Sequence, residues 1–149
     1  MKRSTSLSLF LVLCGMATLA WAGPAEEIAQ IAQQAVQAIN EGNLDGIMAL
    51  YADDAVLIPA GSPFRIDGKD AIRSFYVGLF QNFPTRRFVE RQRQIRVYGA
   101  NTAIINAYFT FTLVDRSGNA NNVQARMSVT FVKVGNRWLV ADDHASRLP

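Results

Sequence analysis

Apolar residues recur at helical spacing through residues 24–40, at Ile28, Ile31, Ala32, Ala35 and Ile39. Pro24 suits a first helical turn, Glu26 and Glu27 complement its dipole, and Gly42 suits its end. Asn43 then caps a second, short helix carrying Leu44, Ile47, Met48 and Tyr51. Short strands are predicted at 55–59 and 64–66, with a Gly/Pro turn between them. Asp67 and Asp70, three residues apart, read as a capping box opening a third helix. That helix buries Ile72, Phe75, Tyr76 and Leu79 and ends before Pro84.

Beyond Pro84 the period changes from 3.6 to 2. Strands are predicted at 87–98, 102–114, 122–134 and 137–145, parted by Gly- and Asn-containing turns. Helices first and antiparallel strands afterwards define an α+β domain, with three N-terminal helices packed on one face of a strongly curved, mostly antiparallel sheet. Strands this long require bulges. Ala103, Ile105, Ala107, Phe109, Phe111 and Leu113 share one face with Val123, Ala125, Met127, Val129 and Phe131 of the neighbouring strand. That face meets the helices. The opposite face carries Asn106, Tyr108, Thr110, Arg126, Ser128 and Thr130. It reads either as a solvated surface or as the interface of a homodimer, whose polar, self-complementary character this composition suits.

The first 22 residues stand apart from this pattern. Lys2 and Arg3 precede an apolar run from Leu7 to Leu19, and Ala20-Trp21-Ala22 supplies small residues at −3 and −1 of a cleavage site. Residues 1–22 are therefore expected to be a signal peptide, with 23–149 an exported single domain in the periplasm or secreted medium. An uncleaved anchor is disfavoured because the apolar run is short for a membrane span. Cleavage removes the lone cysteine, Cys14, and with it any disulfide, thiol nucleophile or cysteine ligand. It also takes the 15 basic residues to 13, against 12 acidic ones. A nearly neutral exported chain gives little reason to expect nucleic-acid binding, and no membrane association is expected after cleavage.

Residues 51–76, YADDAVLIPAGSPFRIDGKDAIRSFY, carry a resemblance. Ala52, Asp53, Asp54, Ala55, Gly68, Ile72, Phe75 and Tyr76 match the pattern of ketosteroid isomerases, members of the nuclear transport factor 2-like superfamily. The resemblance implies a cone-shaped fold with a deep pocket, in which this segment forms one wall. It also implies positions for that enzyme's catalytic groups. The base falls on Pro59 (or Ile58), the tyrosine on Ala35, and the second acid on Ser128 or Val129. None can do that chemistry. The C-terminal WLVADDHASRLP is similar to the calcium/calmodulin-dependent kinase association domain of the same superfamily, through Trp138, His144, Ser146 and Pro149. Positions where that branch carries pocket arginines fall on Phe109 and Val129, implying an apolar pocket.

Few other residues offer chemistry. His144 is the only histidine, so no histidine-rich metal site is expected, and no cofactor is. On an unbroken strand Asp142 and His144 share a face with Val140 and Trp138. They are the candidate catalytic pair, the alternative being a structural bond at the chain terminus. Asp53 and Asp54 read as turn-capping groups. Arg86, Arg87, Arg91, Arg93 and Arg96 read as a solvated strand, or as a surface for an anionic ligand. The expected pocket is lined by Ala35, Leu57, Pro59, Phe75, Phe109 and Val129, with Trp138 beside it. Three functions remain open: a non-catalytic binding domain for a small apolar ligand, a SnoaL-like proton-transfer enzyme using Asp142 and His144, and a structural assembly domain.

Overall fold

The computed structural model describes residues 23–149; the expected signal peptide lies outside the described residues. Helix α1 spans Pro24–Glu41, α2 Leu44–Met48 and α3 Lys69–Asn82. Strands β1 (Tyr51–Ile58), β2 (Ile66–Asp67), β3 (Thr85–Tyr98), β4 (Thr102–Val114), β5 (Ala120–Val134) and β6 (Arg137–Arg147) form one sheet in the order β2-β1-β6-β5-β4-β3. Among these strand pairs β1 and β6 run parallel and the rest antiparallel. The apolar faces of β4 and β5 pack under the helices, with Ile28 and Ile72 of the helices and Ile105 of the sheet sealed from solvent.

Several boundaries differ from the sequence pattern. Tyr51 lies on β1, not on α2, because α2 stops after Met48 and Leu50 closes the turn by donating to the Ile47 carbonyl. Asp53 and Asp54 are consequently exposed on an irregular part of β1, where Asp53 pairs with Lys69 at 3.5 Å. The capping box does not form. Gly68, at φ 85°, occupies the cap of α3, and Asp67 lies in β2 and pairs with Arg65. A positive φ suits glycine, so the chain turns into α3 by backbone freedom instead of a side-chain cap.

The arginine-rich strand is also not uniformly solvated. In β3 the pairing slips between Arg91 and Gln94, and Gln92 adopts φ 51°. This bulge turns Arg93 inward, where it grips Glu90 and donates to the Ala29 carbonyl of α1 at 3.3 Å. Arg86 donates to the Ile39 and Phe83 carbonyls and covers the Phe80 ring at 4.2 Å. Two of the five guanidinium groups thus fasten β3 to the helices.

Asn40 completes that attachment. Its side chain accepts from the Phe88 amide at 2.6 Å and donates to the Phe88 carbonyl at 3.2 Å, mimicking a neighbouring strand. Asn40→Ala leaves both backbone groups without these partners. We expect a loss of about 1–3 kcal/mol in urea unfolding, with Asn40→Asp between parent and alanine because its carboxylate still accepts.

Candidate functional site

The site is created by one extra residue in β6. Val140 pairs with Phe131, but Asp142 pairs with Thr130, so Ala141 is an unmatched residue between them. A bulge reverses the alternation beyond it. Trp138 and Val140 point inward, as expected. After the bulge the inward residues are Asp143, paired with Val129 and Leu57, and Ala145, paired with Met127. Asp142 and His144 are carried to the outer sheet face, opposite Thr130 and Ser128. The shared face expected for Trp138, Val140, Asp142 and His144 is therefore corrected. The candidate catalytic pair does not reach the interior.

Between the helices and the sheet lies a cavity of about 200 Å3. Six of the expected lining residues, Ala35, Leu57, Pro59, Phe75, Phe109 and Val129, are on its wall. Trp138 is not. It lies at the start of β6, next to the N-terminus of α1, where its indole donates to Glu27 at 2.7 Å. Trp138 belongs to the hydrophobic core. Of the positions implied for isomerase groups, Ala35, Pro59 and Val129 line the cavity, while Ser128 bonds Asn106 on the outer face.

Four lining side chains carry polar groups: Tyr51, Tyr76, Glu90 and Asp143. Three of them are linked. The Tyr51 hydroxyl donates to Asp143 Oδ2 at 2.8 Å and lies 3.3 Å from the Tyr76 hydroxyl. Tyr51 has one proton and gives it to the carboxylate, so Tyr76 must donate to the Tyr51 oxygen. The chain of bonds runs from α3 through β1 to β6. Both tyrosine protons are used within it. Among the described residues Asp143 Oδ1 has no hydrogen-bond partner and is not sealed off, leaving it available to whatever occupies the cavity.

Burial controls the protonation of these groups. The Asp143 carboxyl is pushed up to about 6, chiefly by desolvation and further by Asp142, against the opposing effects of the Tyr51 bond and His144. Burial, then the charge of Asp143, raises both tyrosines above their ordinary range. The hydroxyls remain neutral donors, while Asp143 changes charge near physiological pH. Glu90 is buried in the opposite wall but spends its carboxylate on Arg93. Among the described residues, no group of three or more histidine, cysteine or acidic side chains could hold a metal ion.

Sequence reasoning placed Tyr51 and Tyr76 at the ends of the informative segment, yet it did not join them to Asp143. The available signal was the Asp142-Asp143 pair in an apolar strand: either register buries one acid. Only the position of the bulge decides which.

A cone of helices closed by a curved sheet around an apolar cavity is the nuclear transport factor 2-like fold, and the chain is a member of that superfamily. The calcium/calmodulin dependent protein kinase II association domain family matches residues 24–149, and the chain belongs to that family. A structure from Xanthomonas campestris assigned to the same association domain is 28% identical, with TM-score 0.76, covering 86% of this chain and 90% of that one. A nuclear transport factor 2-like protein of unknown function from Pseudomonas putida is 25% identical, with TM-score 0.70 and coverage of 82% and 84%. A structure from Novosphingobium aromaticivorans assigned as a scytalone dehydratase has TM-score 0.76 at 14% identity, covering 83% of each chain, a likeness of fold alone. Among the described residues no helix is long and apolar enough to cross a membrane.

Proposed function

We propose that the chain is a dimeric, exported binding domain whose cavity takes a small, largely apolar molecule and reads its one polar end with Asp143. The observation that carries this reading is the unpartnered Oδ1 of Asp143 in a predominantly apolar wall whose other polar groups are engaged with one another or with Arg93. Ligand pockets combine a predominantly apolar lining with a few placed polar groups, and this cavity has that composition. For scale, a closed apolar cavity of roughly 150 Å3 can hold benzene. About 200 Å3 therefore suits a ring-bearing molecule with a short polar extension. Export rests on the sequence of residues 1–22.

Thermal denaturation with a panel of small ring compounds tests the reading. A ligand present at about 100 times its dissociation constant stabilises the folded chain by about 2.7 kcal/mol, a readily measured rise in melting temperature. No shift across neutral, cationic and anionic ring compounds would assign the cavity to structure alone.

A proton-transfer enzyme is the second reading, favoured by the near-neutral titration of Asp143. Its carboxylate would take a proton from carbon beside a substrate carbonyl, the electron pair moving onto the carbonyl oxygen. An enolate needs a hydrogen-bond donor, and the donors nearest Asp143 are already used between Tyr76, Tyr51 and Asp143. Binding without catalysis fits this arrangement better.

Dimerisation is assigned to the outer face of β4 and β5. Arg96 bonds Asn106, Asn106 bonds Ser128, Arg91 bonds Thr110 and Arg126 bonds Ser146. These bonds hold the polar side chains in place around Tyr108, which is 45% exposed in mid-strand, with Thr130 on the same face. Membership of an association-domain family supports self-association. Tyr108→Glu puts two carboxylates near the symmetry axis, so light scattering should show a dimer for the parent and a monomer for the variant. A monomeric parent would remove this assignment.

A further inference from the structure

We infer that the cavity selects small ring-bearing molecules whose polar end is a protonated amine. This deepens the binding reading above, on which it rests, by naming the chemical class of the ligand.

The protons already placed in the cavity decide what a ligand must offer. At pH 7.5, above its pKa of about 6, Asp143 is ionised; Tyr76 then donates to Tyr51 and Tyr51 to Asp143, so the free position at the end of that chain is an acceptor, Asp143 Oδ1. A matching ligand must donate. A ketone, ether or carboxylate brings acceptors only; it would leave an ionised Oδ1 unpaired, or bind only after Asp143 takes up a proton, which weakens its binding above a pH of about 6. The charge of the wall points the same way. The titratable residues lining the cavity are Tyr51, Tyr76, Glu90 and Asp143, with no lysine, arginine or histidine among them. Arg93, the nearest cation to Glu90, is held by Glu90 and the Ala29 carbonyl. Among the described residues an anionic ligand would therefore meet no free cation on this wall.

Donation leaves amines and alcohols, and charge separates them. Around Asp143 stand Tyr51 from β1 and Tyr76 from α3, with apolar Val129 beside it on β5 and Leu57 on β1. Asp142 and His144 flank it in sequence but project from the other sheet face. Among the described residues no cation faces the carboxylate from the cavity side. Its elevated pKa means that ionisation is unfavourable in the empty cavity, and a cation bound at Oδ1 reverses this. Each pKa unit recovered on binding corresponds to a tenfold preference for the ionised site; a cation recovers it through charge and hydrogen bond together, a neutral alcohol through the hydrogen bond alone. The apolar remainder of the wall, from Ile31, Phe75, Leu79, Phe109 and Met127, takes the ring.

Titration calorimetry of the intact chain with benzylamine, benzyl alcohol and phenylacetate at pH 7.5 tests this. The three share a ring and differ in their polar ends. Benzylamine should bind about tenfold or more tightly than benzyl alcohol, and phenylacetate should give no binding heat. Asp143→Asn should reduce benzylamine to the affinity of the alcohol. At pH 6, benzylamine should also release up to roughly half a proton from the unsubstituted chain, read from heats in two buffers of different ionisation enthalpy. Equal affinity of amine and alcohol, binding of phenylacetate, or no proton release would overturn the amine assignment while leaving an apolar binding cavity. Binding by none of the three would overturn both.

Discussion

Asp143→Asn should make the folded chain more stable at pH 7.5, by about 1–3 kcal/mol, and should flatten its stability between pH 4 and 7. The carboxyl titrates at about 6 in the fold, against an ordinary value of 3.8. Between those values the folded state binds more protons than the unfolded state, so stability falls as pH rises. Below about 3.8 the group is neutral in both states and costs nothing as a charge. Above about 6 it is ionised in both, and the folded chain carries the full penalty, roughly 3 kcal/mol for a shift of this size. Asparagine carries no charge at any pH, and its amide oxygen can still accept from Tyr51. The gain is reduced by exchanging a charge-assisted hydrogen bond for a neutral one. Urea unfolding of parent and variant at pH 4.5 and 7.5 measures the difference. A variant less stable than the parent at pH 7.5 would show that the Tyr51 bond outweighs desolvation. An internal carboxylate that weakens its own fold is expected of a group retained for binding.

The second large effect lies at the other end of β6. Trp138→Ala should cost about 3–5 kcal/mol, the range for removing a large aromatic from a core. Trp138 is 5% exposed, its indole donates to Glu27, and the Lys133 ammonium lies 5.3 Å from its ring centre. The Trp138 and Lys133 bonds together hold the Glu27 carboxyl below its usual range. Trp138→Phe keeps much of the packing and loses the indole donor, so its cost should be about half or less of the alanine variant's. A lower urea midpoint at unchanged slope is the signature. If the alanine variant lost less than about 1 kcal/mol, Trp138 would not be the anchor between β6 and α1.

How much of this was written legibly in the chain depended on period. The alternation of residues 102–114 and 122–134 gave both sheet faces, and six cavity residues followed from those faces together with the two family resemblances. Pro59 was already placed on that wall without a base's chemistry, and it lines the cavity. What alternation cannot encode is its own interruption. Ala141 shifts β6 by one residue and exchanges Asp142 for Asp143; Gln92 does the same in β3 and brings Arg93 beside Glu90. Nothing in the types alanine or glutamine marks a bulge, because its position is set by pairing with β5 and β4. The helix start at Gly68 was missed for a related reason. Asp67 and Asp70 have the spacing of a capping box, but pairing of β2 with β1 claims Asp67 first. Local preference yielded to tertiary pairing at each of these places.

Asp143, half-buried on the cavity wall, is the acid whose titration decides whether the cavity has a reading group. Carbon-13 NMR of the aspartate carboxyls, with Asp143→Asn to assign the signal, follows that group directly through a pH titration. A midpoint near 6, moving when benzylamine is added, is the result expected here. A midpoint near 3.8, unchanged by ligand, would mean that Asp143 is solvated and that the cavity has no reading group.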